Sequence, residues 1–82
     1  MSTTRQVLSD LEPLFRDVLE IPDLVLEEHL TAKDVAGWNS LNHMRILSAA
    51  EQHFAVRLTA TEIVDLKSAG ELAALIASKL EK

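Results

Sequence analysis

Asp34-Val35-Ala36-Gly37-Trp38-Asn39-Ser40-Leu41 joins a stretch without periodicity to a strongly periodic one, and its reading decides the fold. Gly37 permits a sharp turn. Asn39 is among the best residue types for accepting a hydrogen bond from the free amides of a helix start, and Ser40 can serve too. The spacing that follows predicts a helix from Ser40 or Leu41 to about Phe54. Ile46, Leu47, Ala50 and Phe54 make its core stripe, while Leu41, Met44 and Ser48 lie on a less buried side. A serine in the first turn of a helix sits in the positive field of that terminus, beside amides without intrahelical partners. Such a place suits a plain structural cap and also tolerates a phosphodiester, so the residue type alone leaves both uses open.

Upstream, Val7, Leu8, Leu11, Leu14, Phe15, Val18 and Leu19 form one stripe of a first helix, which Thr3 or Thr4 can cap. Pro13 lies inside the stripe and lacks the donor for the carbonyl of Ser9, which predicts a kink. Ile21-Pro22-Asp23 ends that helix, since the residue before proline avoids the helical region. Glu20 to Asn39 is then a long loop, with Leu24, Leu26, Leu30 and Val35 as anchors and a helical turn capped by Thr31. A structured loop of about twenty residues in so small a chain is often functional. Downstream, Val56 and Leu58 anchor a short connection. Thr59-Ala60-Thr61-Glu62 has the spacing of a capping box before a short helix containing Ile63, Val64 and Leu66. Ser68-Ala69-Gly70-Glu71 repeats that spacing before a last helix with Leu72, Leu75, Ile76 and Leu80 as its stripe, and Ala73 and Ala77 for close approach. The expected fold is all-α: a small four-helix bundle of three main helices and one short one, with a long loop between the first two.

The 82 residues allow a single domain, 1–82, with one core. There is no cysteine, which excludes disulfides, thiolate metal sites and a cysteine nucleophile. The net charge is −5, with 13 acids against 8 bases and no basic cluster. This argues against nucleic acid as a partner and favours partners with basic patches. No basic-then-apolar leader opens the sequence, and no apolar run approaches the roughly 18 residues that span a bilayer. The expectation is a soluble, cytoplasmic monomer that does not enter membranes.

The stretch 34–41 resembles the attachment region of the acyl carrier and peptidyl carrier family, whose core is usually Asp-Ser-Leu and is often preceded by Gly-Trp. The resemblance continues through Ile46-Leu47-Ser48-Ala49-Ala50-Glu51-Gln52-His53-Phe54, similar to the family's apolar helix ending in Glu-X-X-Phe. It also covers Val56-Arg57-Leu58, Thr61-Glu62-Ile63 and Leu66-Lys67-Ser68-Ala69-Gly70-Glu71-Leu72. It implies that Ser40 carries a covalent 4′-phosphopantetheine arm derived from coenzyme A. The implied partners are a phosphopantetheinyl transferase, an acyl- or aminoacyl-loading ligase and downstream synthase enzymes. It also implies that Asn39, Leu41, Met44, Arg45 and Ser48 face those partners and that the chain supplies no catalytic residue. An unmodified helical interaction domain with the same fold is the alternative.

Two departures set this chain apart from the family pattern. Asn39 stands where aspartate is usual, which keeps the cap but removes a charge. From Ser40 to Ala55, Arg45 and Glu51 cancel, where members serving fatty acid synthesis have an acidic helix. A cation at Arg45 would repel a basic partner patch, so the expectation is a dedicated pathway. His29, His43 and His53 lack a two-histidine helical spacing, so no metal site is expected and they are read as surface or helix-flanking residues. Trp38 is read as pinning the loop to the core rather than gating an arm. Glu27-Glu28 is read as a solvated loop face.

Overall fold

The amino-terminal stripe folds as one helix in the computed structural model, which describes residues 3–64 and 66–80. Helix α1 (Thr4–Leu19) is followed by α2 (Ser40–Phe54), the short α3 (Ala60–Val64) and α4 (Ala69–Leu80). Among the described residues there is no strand. Thr3 caps α1 by accepting from the Gln6 amide at 3.1 Å. The helix runs continuously through Pro13. Ser9 and Pro13 both face solvent, so the carbonyl that Pro13 cannot satisfy is left to water rather than buried. Helices α1 and α2 end on Glu20 and Ala55, both in the left-handed region at φ 59° and 56°. Neither terminus is marked by the glycine that usually takes that conformation.

Helix α1 packs against α2 and α4. Val7, Leu11 and Phe15 meet Ile46, Leu47 and Ala50 of α2, and Leu72, Ala73, Ile76 and Ala77 of α4, in one buried cluster. Phe54, Leu75 and Leu80, placed on the core stripes by their spacing, are only partly buried around its edge. Val64, read from sequence as part of the short helix's apolar pattern, faces solvent at 78% exposure, whereas Ile63 packs inward. A five-residue helix has too few turns to bury more than one side of itself.

The long loop is held by polar side chains of α1 acting on its backbone. Glu12 Oε2 accepts from the Leu26 amide at 2.9 Å, and Arg16 Nε donates to the Leu24 carbonyl at 2.7 Å. The two side chains also pair with each other at 3.1 Å. This clamp drives Leu26 into the core and leaves Val25 exposed. At its far side the loop caps α4: the amides of Ala69 and Gly70 donate to the carbonyls of Leu30 and Glu28, each at 2.9 Å. These amides have no intrahelical acceptor, so the loop completes the helix start. Ser68 accepts from the Glu71 amide as expected. Glu71 reaches back to the Lys67 amide, however, and not to that of Ser68. The second capping box is therefore displaced by one residue on its return arm, whereas the Thr59–Glu62 box closes in both directions.

Gly70 is required by this docking. A Cβ there would lie 2.8 Å from the Glu28 carbonyl oxygen and 3.2 Å from its Cα. In an open helix, Gly→Ala gains about 1 kcal/mol. Here the obstacle is backbone, and displacing packed structure costs about 1–3 kcal/mol. Gly70→Ala is therefore expected to lower the urea midpoint; a raised midpoint would mean that the loop yields freely.

Candidate functional site

The site is built where the loop turns into α2. Val35 and Trp38 are both buried to 6% exposure, and the Trp38 indole meets Phe15 edge-on with centroids 5.0 Å apart. Between them the chain reverses at Gly37, whose φ of +83° is a left-handed value that glycine adopts without strain. The Gly37 carbonyl accepts from the Asn39 amide at 2.9 Å and from Asn42 Nδ2 at 2.8 Å. Asn39 is extended and its side chain accepts from the Asn42 amide at 2.9 Å, so Asn39 is the N-cap of α2.

That assignment bears on Ser40. The capping role falls to Asn39, and Ser40 is the first residue of the helix proper, exposed to solvent. No acidic residue lies in the first turn of α2, so no local carboxylate offsets its positive end.

A groove of about 380 Å³ opens beside Ser40 and Asn39. Trp38 and His43 line it from one side, and Ala32, Leu66, Lys67 and Ser68 from the other. The lining is mainly apolar, with a lysine and a few hydrogen-bonding groups. On another side of α2, a second groove of about 430 Å³ is bordered by Leu41, Met44, Arg45, Ser48 and Glu51, with Leu47, Leu58 and Ile63. Leu41 and Met44 are 61% and 54% exposed.

The residues singled out from sequence thus separate into two groups. Leu41, Met44, Arg45 and Ser48 share the second groove, whereas Asn39 and Ser40 border the first, and the Asn39 side-chain oxygen is committed to the cap. Glu51, the only acid of α2, is turned to the backbone and accepts from the Leu58 amide at 2.8 Å. Trp38 does pin the loop.

Against the expectation of a surface or helix-flanking place, His43 lies against the loop. It is half-buried and accepts the indole N–H of Trp38 on Nδ1 at 3.0 Å. Acceptance on Nδ1 fixes the neutral tautomer with its proton on Nε2. Its position three residues after Ser40, on the same side of the helix, was the available signal. Lys67 and Asn42 gave none that spacing could reveal.

This is the anatomy of a carrier domain: a small helical scaffold that holds one hydroxyl outward at a helix start. Residues 9–76 match the family model of the phosphopantetheine attachment site. Among solved structures the chain is similar to the solution NMR structure of a holo acyl carrier protein from Geobacter metallireducens. That similarity has a TM-score of 0.86 and 35% identity, covering 92% of this chain and 86% of that one. No curated protein matches the chain. The chain belongs to the acyl carrier protein family, whose cofactor is covalently attached 4′-phosphopantetheine. Members of this family are carriers rather than catalysts and act by meeting partner enzymes. The region around Ser40 fits such a group, with an exposed hydroxyl, an unopposed helix terminus and an open groove alongside.

Burial lowers the pKa of His43 below 6.5, because desolvation disfavours the imidazolium. Protonation would also remove the acceptor for the Trp38 indole. The unfolded chain takes up this proton near pH 6.5, and the folded chain only at lower pH. The contribution of His43 is thus complete above 6.5 and lost as the pH falls through the folded value. His43→Gln is expected to flatten the dependence of the thermal midpoint on pH between about 7 and 5. An unchanged slope in that variant would show that another group is responsible.

Proposed function

We propose that Ser40 of this carrier domain bears the 4′-phosphopantetheine arm, in a dedicated biosynthetic pathway. One observation carries the reading: in a chain of this family, Ser40 opens α2 as an exposed residue while Asn39 does the capping. The hydroxyl is thereby left for chemistry. In the loading step, held by a phosphopantetheinyl transferase with Mg²⁺, the Ser40 oxygen bonds to the pantetheine phosphorus of coenzyme A. The pyrophosphate P–O bond breaks, adenosine 3′,5′-bisphosphate leaves and the hydroxyl proton passes to a base. When bound, the group supplies a terminal thiol that holds an acyl or aminoacyl cargo as a thioester. Tethering raises the effective concentration of that cargo at a docked partner. A cytoplasmic location, with access to coenzyme A, is part of this reading.

Leu41, Met44, Arg45 and Ser48 form the surface for the loading ligase and the downstream synthase enzymes. The exposed apolar side chains there supply contact area. Arg45 adds a cation to this surface and supports discrimination against partners with basic docking patches.

Incubation with coenzyme A and a broad-specificity transferase is expected to add one phosphopantetheine by intact mass, and to add none to Ser40→Ala. No gain with several transferases would favour an unmodified interaction domain. Exposed charge pairs are worth about 0.2–1 kcal/mol. Asn39→Asp should therefore speed modification by up to about fivefold, and equal rates across transferases would remove any role for that charge. Arg45→Glu is expected to improve use by ordinary fatty acid synthase enzymes. Efficient use of the wild type, unaffected by this change, would refute the dedicated-pathway reading.

A further inference from the structure

The groove between Trp38 and the α3–α4 connection has a chemistry that docking on α2 does not explain. Its components are ordered by type. Lys67 supplies a cation in the same groove that Ser40 borders. Trp38, Leu66 and Ala32 supply apolar surface. The acceptor-committed Nδ1 of His43 leaves Nε2–H as that ring's donor. The Ser68 oxygen accepts from the Glu71 amide, which leaves its O–H proton to donate.

A phosphopantetheine arm presents complementary groups in chain order: a phosphodiester anion, a branched hydrocarbon segment, then amide carbonyls. A groove of about 380 Å³ is within the range that holds small organic groups. We propose that Lys67 is a positioning residue for the phosphodiester, and that the arm rests in this groove over Trp38 and not in the groove lined by Met44, Leu58 and Ile63. The proposal rests on the assignment of the arm to Ser40 and adds where the arm lies and what holds it there. The occupant follows from continuity, since Ser40 itself borders the groove. The fixed shape of the groove reduces the ordering cost of binding. The floor is rigid because Trp38 packs on Phe15 and is bonded to His43.

The test compares apo and holo protein, with conversion at Ser40 followed by intact mass and the resting position read by amide NMR spectra and fluorescence. Trp38 is the only tryptophan, so the emission reports on this groove alone. Conversion is expected to shift the amides of Ala32, Leu66, Lys67 and Ser68 and to change the Trp38 emission. Lys67→Glu should reduce these changes by up to about fivefold, as loss of an exposed charge pair permits, while the mass gain and helical content persist. Lys67→Arg should restore them. Shifts confined to residues 39–42 would mean an arm free in solvent and would overturn the proposal. Shifts centred on Met44, Leu58 and Ile63 would place the arm in the other groove and overturn it equally. Insensitivity of the pattern to Lys67→Glu would refute the role of the lysine. Absence of any mass gain would reject the Ser40 assignment and this proposal together, whereas a mass gain without the expected shifts rejects the proposal alone.

Discussion

The packing of Trp38 on Phe15 is the constraint on which the presentation of Ser40 depends. The loop before α2 has no repeating hydrogen-bond pattern to fix its length or direction. A large buried ring at its end supplies that reference, and the indole N–H bond to His43 couples it to the first turns of α2. From this point the chain has only Gly37 and Asn39 with which to turn outward and begin a helix. Gly37 takes the left-handed angle and offers its carbonyl to two donors, and Asn39 takes the cap. The site is therefore exposed but not loose. Its hydroxyl lies two residues beyond a side chain sealed in the core.

Acidic side chains perform much of the structural work, in a way that net charge does not reveal. Glu12, Glu51 and Glu62 each accept a backbone amide from an irregular segment, at Leu26, Leu58 and Thr59. A carboxylate is a stronger acceptor than a neutral oxygen, which suits it to fixing segments without a ladder of their own. For Glu62, the Thr59 amide and then Lys79 hold the carboxyl below 4.5. Glu62 thus remains charged through the neutral range. One consequence is local: Glu51 lines the groove that Arg45 borders and is held there by the Leu58 amide.

Most of the fold was legible because its periodic segments are long and their starts carry specific side chains. The stripes of α1, α2 and α4, the Thr3 and Asn39 caps and the Thr59–Glu62 box each rest on a short-range rule. What escaped was non-local or lacked a marker. The pairing of Glu28 and Leu30 carbonyls with the start of α4 joins segments about forty residues apart, and nothing at Gly70 distinguishes a tight contact from an ordinary helix start. The Glu12–Arg16 clamp looks in sequence like a solvent-facing pair at helical spacing. Within the site, Ser40 and Asn39 were readable, but His43 and Lys67 become neighbours of Ser40 only once the loop has folded.

The two sides of Ser40 differ in what determines their shape. The groove over Trp38 is bounded by a buried aromatic pair and by a connection anchored through the Gly70–Glu28 contact, both of which resist displacement. The groove beneath Met44 includes Ile63 of the five-residue α3. A helix of that length cannot hold itself. It relies on the Thr59–Glu62 box and on one pair, Lys79–Glu62 at 2.9 Å, that stays partly open to solvent. Partly exposed pairs contribute little and are weakened by salt, so α3 is the least anchored wall of either groove. A carrier must offer its attachment point in a constant position while meeting several different enzymes. The two grooves differ in this respect: the side over Trp38 is tied to the core through Phe15, and the side beneath Met44 rests on the short α3.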